Sequence, residues 1–279
     1  MNWDTISAYT SLQHNIFGFK SQSKLLPHAT ANAMNPVDSL LRDYSIVDLS
    51  FALEENVPYV STHAPFKHIP WESPAIGQPA NTFALFLDEH TGTHVDSTMH
   101  FPHTGRHWID QIPIRDFIGR CGVIDCKRKQ ARDVVTSDDV RKWEEDYCKL
   151  GEIDALLLNF GWHKKFKLLP RGRNYLEGWP GLSGEAAEVI AKSGVRLVGC
   201  DTIGLDAEGA EGFPAHHVLL SKEVKIVESL ANLDAAPPVG GLFMAVPLKI
   251  VGGSGSPVRA FVFAPRKGQI RARRRAAFI

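Results

Sequence analysis

The amino-acid sequence predicts a mixed α/β fold, and three observations carry that prediction. Short apolar, strand-like runs recur along the middle of the chain, two segments between them carry helix start and stop signals, and the composition is that of a globular protein, with 44% apolar and 22% charged residues in 279. That length suits one generous domain or two small ones.

Residues 1–44 are polar and lack a repeating apolar period except for a short helical candidate at Pro36 to Tyr44, so they form an N-terminal arm and not a domain of their own. Strand-like runs follow at Ser45–Phe51, Thr82–Glu89, Cys121–Cys126, Ala155–Phe160, Leu197–Asp201, Leu242–Pro247 and Val258–Phe263. A first helix is expected to begin at Thr136-Ser137-Asp138-Asp139, where an acid three residues after the Thr makes a capping-box start, and to run through Trp143 toward Tyr147. A second takes Ser183 as its N-cap, places Glu185 and Glu188 in its early turns, and stops at Ser193-Gly194 before the strand Val195 to Val198. Strand, helix and strand in that order predict one parallel crossover unit.

Lys plus Arg and Asp plus Glu each number 31, so no global field draws the chain to nucleic acid or to an anionic membrane. Residues 264–279 form a tail with six basic side chains and no acid, read as a solvated terminus or an arm docked on a neighbouring subunit. Four cysteines are too few for a disulfide scaffold and are read as reduced core thiols, with Cys121 and Cys126 on opposite faces of their strand. The first residues lack the basic-then-apolar order of a signal peptide, and the most apolar later stretch, Val239 to Gly253, is broken by Pro247 and Lys249. The expectation is a soluble cytoplasmic protein with a small-molecule substrate and neither nucleic acid nor membrane as a partner.

Chemistry concentrates in one stretch. His90, His94, His100, His103 and His107 fall within eighteen residues. His90, His94 and Asp96 supply the ligand types that zinc or manganese takes at neutral pH, with positions left open for water and substrate. On a helix His94 and Asp96 would point to nearly opposite sides, whereas in extended chain they share a face, so the ligands belong on a strand or its exit. Residues four apart in a straight strand lie about 13 Å from each other, too far for one ion, so the chain must bend between His90 and His94, and Gly92 permits it. His100 can titrate near neutral pH and is assigned as a proton shuttle. His103 and His107 are read as ordinary hydrogen-bonded residues. No G-x-S-x-G occurs, which disfavours a serine nucleophile, and Gly252 to Ser256 is read as a turn.

The run from His90 to Asp96, followed by His100-Phe101, resembles the H-x-G-T-H-x-D-x-P-x-H signature of the cyclase family of metal-dependent hydrolases, which includes kynurenine formamidases and isatin hydrolases. Further matches are Asn159-Phe160-Gly161-Trp162, Pro180-Gly181-Leu182-Ser183, Gly199-Cys200-Asp201-Thr202 with Asp206, and Gly252 to Arg259. Residues 45–263 are covered. One departure is Thr98, where the family has proline.

The resemblance implies a swivelling β/β/α domain with a mixed, barrel-like inner sheet flanked by helices, assembled as a homodimer or homotetramer. It also implies that His216 and Glu228, twelve residues apart, join Asp96 in holding a second metal, or serve as outer partners of a single one. The implied activity is metal-dependent hydrolysis of a C–N bond in an amide, formamide or lactam. A cyclase or dehydratase on the same site is the alternative, and a non-catalytic binding descendant a further one. Pro58, Tyr59, Phe66, Trp71, Phe83 and Trp162 flank the motifs and are expected to furnish an aromatic-tolerant pocket.

Overall fold

The computed structural model describes residues 35–266. The arm before residue 35 and the basic tail after residue 266 lie outside the described residues. Among the described residues, those from Leu41 onward belong to one compact unit and those before it to another. The elements run α1 (Pro36–Asp43), β1 (Tyr44–Asp48), β2 (Lys67–Glu72), β3 (Thr82–Phe86), β4 (His94–Asp96), β5 (Ile118–Asp125), β6 (Val134–Val135) and α2 (Ser137–Asp146). They continue with β7 (Ala155–Asn159), β8 (Gly181–Leu182), α3 (Gly184–Ala191), β9 (Leu197–Cys200), α4 (Pro214–Ser221), β10 (Lys225–Glu228), β11 (Val239–Met244), β12 (Gly255–Pro257) and β13 (Phe261–Pro265).

Nine strands make one curled, half-barrel sheet in the order β1-β13-β11-β5-β7-β9-β10-β4-β12. Its centre, β5-β7-β9-β10, is parallel, and every other pairing is antiparallel. A strand buried on both faces loses its polar alternation, and β7 is accordingly a near-continuous apolar run, Ala155-Leu156-Leu157-Leu158. One face of the sheet packs on α2, α3 and α4 through Val140, Trp143, Ile190, Leu219 and Leu220. The other, which includes Phe243 of β11 and Val262 of β13, packs on Leu49, Ile109 and Phe117.

The two helices with complete sequence signals form where they were expected. Thr136 Oγ1 accepts from Asp139 N and the Asp139 carboxylate accepts from Thr136 N, a reciprocal capping box on α2. Ser183 caps α3 by accepting from Ala186 N at 3.1 Å. Cys121 and Cys126 do bury into opposite cores, and all four cysteines are free, but Cys148 is only half-buried and so is not a core thiol.

The fold exceeds the expectation in one respect. There are three successive parallel steps instead of one: β5-α2-β7 is a second crossover beside β7-α3-β9, and α4 and β10 add a third that the sequence did not signal. The helix α4 has no capping side chain next to it, since its N-cap is Phe213 in the left-handed region at φ +48°. Its first amides are met by a distant residue: the Asp206 carboxylate accepts from Ala215 N at 2.8 Å and from His216 N at 3.2 Å. A cap supplied from nine residues upstream leaves no local signature. Strand β13 extends to Pro265, pairing with Tyr44 at the start of β1.

Among the described residues, strands β2 and β3 pair only with each other. This hairpin presents Ile69, Trp71, Phe83, Leu85 and Phe86 to solvent, so Trp71 and Phe83 line no closed pocket here. Trp162 is also not a pocket residue: it is buried in the helix-side core, and its indole N–H donates to the Tyr175 carbonyl at 3.0 Å. No helix among the described residues is long and apolar enough to cross a membrane.

Candidate metal centre

The site grows from β4, three residues held between β10 and β12 near one end of the sheet. Period-two alternation sends Val95 into the sheet core and His94 and Asp96 to the other face. Glu228 stands directly across from His94 in the β10 register. Gly92 takes φ +62° and turns the chain between His90 and His94, as the spacing required, and a Cβ there would lie 2.5 Å from Leu53 Cδ2. The turn is pinned by Thr93, whose hydroxyl donates to the Ser229 carbonyl at 2.6 Å and accepts from Phe51 N at 3.0 Å.

Around the Asp96 carboxylate converge His90 Nδ1 at 2.7 Å, His94 Nε2 at 3.5 Å and His216 Nε2 at 3.6 Å. Glu228 faces His94 Nε2 at 3.5 Å and His216 Nε2 at 3.1 Å. The ring of His100 lies 4.0 Å, centroid to centroid, from that of His90. All six residues named from the sequence are therefore brought together. His90, Asp96 and His100 form one group of donor atoms within 4.8 Å of one another, and His94, Asp96 and Glu228 form another.

These donors fit a divalent cation. Asp96 Oδ2 is buried and lacks a hydrogen-bond partner among the described residues. The separations of 3.5 to 3.6 Å from His94 and His216 are too long for hydrogen bonds yet close to the edge of a tetrahedron built on 2.1 Å bonds, about 3.4 Å. Two imidazoles are aimed by outer partners. His94 Nδ1 donates to the Gly92 carbonyl at 2.9 Å and His216 Nδ1 donates to Asp206, which leaves both Nε2 atoms directed at the carboxylates. His90 bonds Asp96 through Nδ1 and Ser254 Oγ through Nε2 at 3.0 Å.

The charges are mutually perturbing. Burial lowers the tendency of His94 to protonate, but Asp96 and Glu228 outweigh it and raise its pKa to about 10. Burial is likewise outweighed at His216 by Asp206, Asp96 and Glu228, and its pKa lies well above the usual value. Asp96 is held well below the carboxylate range in spite of burial by the imidazoles of His100, His216, His90 and His94. Glu228 falls to about 2, because His216 and His94 overcome burial and the repulsion of Asp96. Burial pushes His100 down to about 4.

The roles of several supporting residues escaped the sequence reading. Asp206 both caps α4 and orients His216. Glu89 accepts from Ser254 N at 2.7 Å and from its hydroxyl at 2.8 Å, which fixes the serine against His90. Gly255, placed in a turn by the sequence reading, begins β12 opposite Asp96, and a Cβ there would lie 2.6 Å from His90 Cε1. Only the G-S-G spacing around Ser254 could have hinted at this close approach. His103 and His107 are both exposed, and His107 pairs with Glu223 at 2.7 Å.

A curled mixed sheet with helices on one face thus carries, at its end, clustered His and carboxylate donors that could bind a metal. Residues 47–207 match the family described as "Putative cyclase", and the chain belongs to that family. It is 32% identical over 202 residues to an isatin hydrolase of Roseibium aggregatum, covering 65% of this chain and 74% of that one. It is 28% identical over 217 residues to a kynurenine formamidase of Bacillus cereus, covering 77% of this chain and 96% of the relative. A crystal structure of an isatin hydrolase bound to the product analogue thioisatinate superposes with a TM-score of 0.76 at 26% identity, over 82% of this chain and 96% of that one. The relatives are hydrolases, and the fold is theirs.

Proposed function

We propose that this protein hydrolyses a C–N bond, in a formamide, amide or lactam, of a small aromatic substrate. The observation that carries the reading is the buried Asp96 carboxylate, with one unpartnered oxygen, set among His90, His94, His216 and Glu228. His90, His94 and Asp96 would hold one ion, with His216 and Glu228 completing a second position beside Asp96 or steadying the first. Zinc and manganese both suit these ligands. A divalent cation there supplies Lewis-acid polarisation of a carbonyl and a water that ionises near neutral pH.

The chain's own part is positioning and proton transfer. His100 is neutral at pH 7, so it can take the proton of the attacking water as the carbonyl carbon gains oxygen. As the C–N bond breaks, the same imidazole returns that proton to the departing nitrogen. Phe101 and Phe213 lie beside His216, with ring centroids at 5.2 Å and 6.2 Å, and give an aromatic substrate a wall to pack on. The named relatives, an isatin hydrolase and a kynurenine formamidase, support both the bond type and the aromatic substrate.

The test is hydrolysis of an N-formyl arylamine by the native protein and by His100→Ala. The variant is expected to keep its metal content while kcat falls by about 10²–10⁴-fold. Unchanged turnover would remove His100 from the chemistry, and loss of metal would make it a ligand.

For the assembly we propose a homodimer, with the β2-β3 hairpin seated on a second copy of the chain. An isolated two-stranded hairpin is marginal in water, and this one exposes apolar side chains, Trp71 being 72% exposed. Trp71→Asp is expected to shift the mass seen by light scattering from two chains to one. A native protein of one chain would contradict the proposal.

A further inference from the structure

The loop that carries His100 is tied to the other half of the site by a small polar clamp. Thr98 is fully buried. Its hydroxyl donates to Glu223 Oε2 at 3.0 Å and accepts from His107 N at 3.1 Å. The same Glu223 oxygen accepts from His107 Nδ1 at 2.7 Å. The Thr98 carbonyl accepts from Gly105 N and from Thr104 Oγ1, both at 2.7 Å. Gly105 is packed so closely that a Cβ would lie 2.2 Å from Thr98 Cβ. Residues 98–107 thus close on Thr98, and His100 lies within that loop.

Glu223 stands in the turn between α4, which carries His216, and β10, which carries Glu228. Its φ is +61°, the left-handed region where glycine is the low-cost residue after a helix. Its backbone groups do not require a side chain. The N–H donates to the Leu220 carbonyl at 3.0 Å and the carbonyl accepts from Lys225 Nζ at 3.1 Å, and a glycine would keep both. A glutamate therefore sits where local preference favours glycine, and its carboxylate reaches across to Thr98 and His107. Such an outlier points to a use for the side chain.

We infer that Glu223, acting through Thr98 and His107, is a positioning residue that holds the His100 loop in register with His216 and Glu228. The clamp also accounts for the departure of Thr98 from the family signature: a hydroxyl bonded to a carboxylate does here what a proline ring does by stiffness. The inference rests on the role given to His100 in the proposed function.

Kinetics on an N-formyl arylamine, with melting temperature and metal content, test it in Glu223→Gly, Thr98→Val and Thr98→Ser. Glu223→Gly relieves the backbone, so its melting temperature is expected to equal or exceed that of the native protein while kcat falls about tenfold with KM and metal content unchanged. Thr98→Val is expected to lose the same activity, and Thr98→Ser to retain it. Full kcat in Glu223→Gly, with an active native protein, would overturn the clamp and leave the hydrolase reading intact. A fall in melting temperature together with kcat would make Glu223 merely structural and also overturn it. If the native protein hydrolyses neither an N-formyl arylamine nor a lactam, the hydrolase reading fails by itself. The clamp is then judged by amide hydrogen exchange over residues 98–107, which must quicken in Glu223→Gly and Thr98→Val, and unchanged exchange would refute it.

Discussion

Asp96→Asn is expected to give a folded protein that retains no metal and no hydrolytic activity. Asp96 is the acceptor on which His90, His94 and His216 converge, and it belongs to both groups of donor atoms in the centre. The loss of metal affinity should exceed the 10–100-fold typical of removing an outer partner of a ligand. A second effect appears without metal. The imidazoles His94 and His216 then lose one of their buried counter-charges while keeping Glu228 and, for His216, Asp206, so the destabilisation is expected to stay below the about 3–5 kcal/mol of an unpaired buried charge. Denaturant unfolding of chelated wild type and variant measures this. The sign with pH follows from the depressed pKa of Asp96: its contribution is present above the ordinary value of 3.8 and is lost as pH falls below it. The two proteins should therefore converge in stability in acid.

Metal uptake is expected to expel protons. With His94 raised to about 10 and His216 raised well above its usual value, both are protonated at pH 7.5 when the site holds no ion. A coordinating imidazole must be neutral, so binding displaces up to two protons. Apparent affinity should then rise with pH by about tenfold per unit for each proton expelled. Calorimetric titration in buffers of different ionisation enthalpy reads the number directly, and a value near two is expected. A value of zero would show that neither His94 nor His216 gives up a proton to the ion.

The parts of this protein legible in its sequence are those whose causes are local. The capping box at Thr136 and the cap at Ser183 are short-range hydrogen bonds, so they leave a pattern within four residues. The cluster from His90 to Asp96 is legible because strand alternation and the Gly92 bend bring its residues to one place without help from elsewhere. The second half of the site is different. His216 and Glu228 lie on α4 and β10, and neither declares itself, because α4 takes its cap from Asp206 and β10 ends in a charged residue that looks like surface. Family resemblance alone pointed to these two residues. Nothing local marks the supports of His90 either, since Glu89, Ser254 and Gly255 reach it only when β12 pairs with β4. The aromatic residues near the motifs misled for the complementary reason: proximity in sequence says nothing of facing, and Trp162 turned into the core while Trp71 turned outward.

The central claim is that these clustered donors are a metal centre for C–N bond hydrolysis. It is tested most directly by assaying an N-formyl arylamine and a lactam with protein as purified, after chelation, and after return of zinc or manganese, with metal per chain determined by elemental analysis at each stage. One or two ions per chain are expected, with hydrolysis of at least one substrate, its loss on chelation, and its recovery in proportion to the ion restored. Hydrolysis that survives complete removal of metal would contradict it.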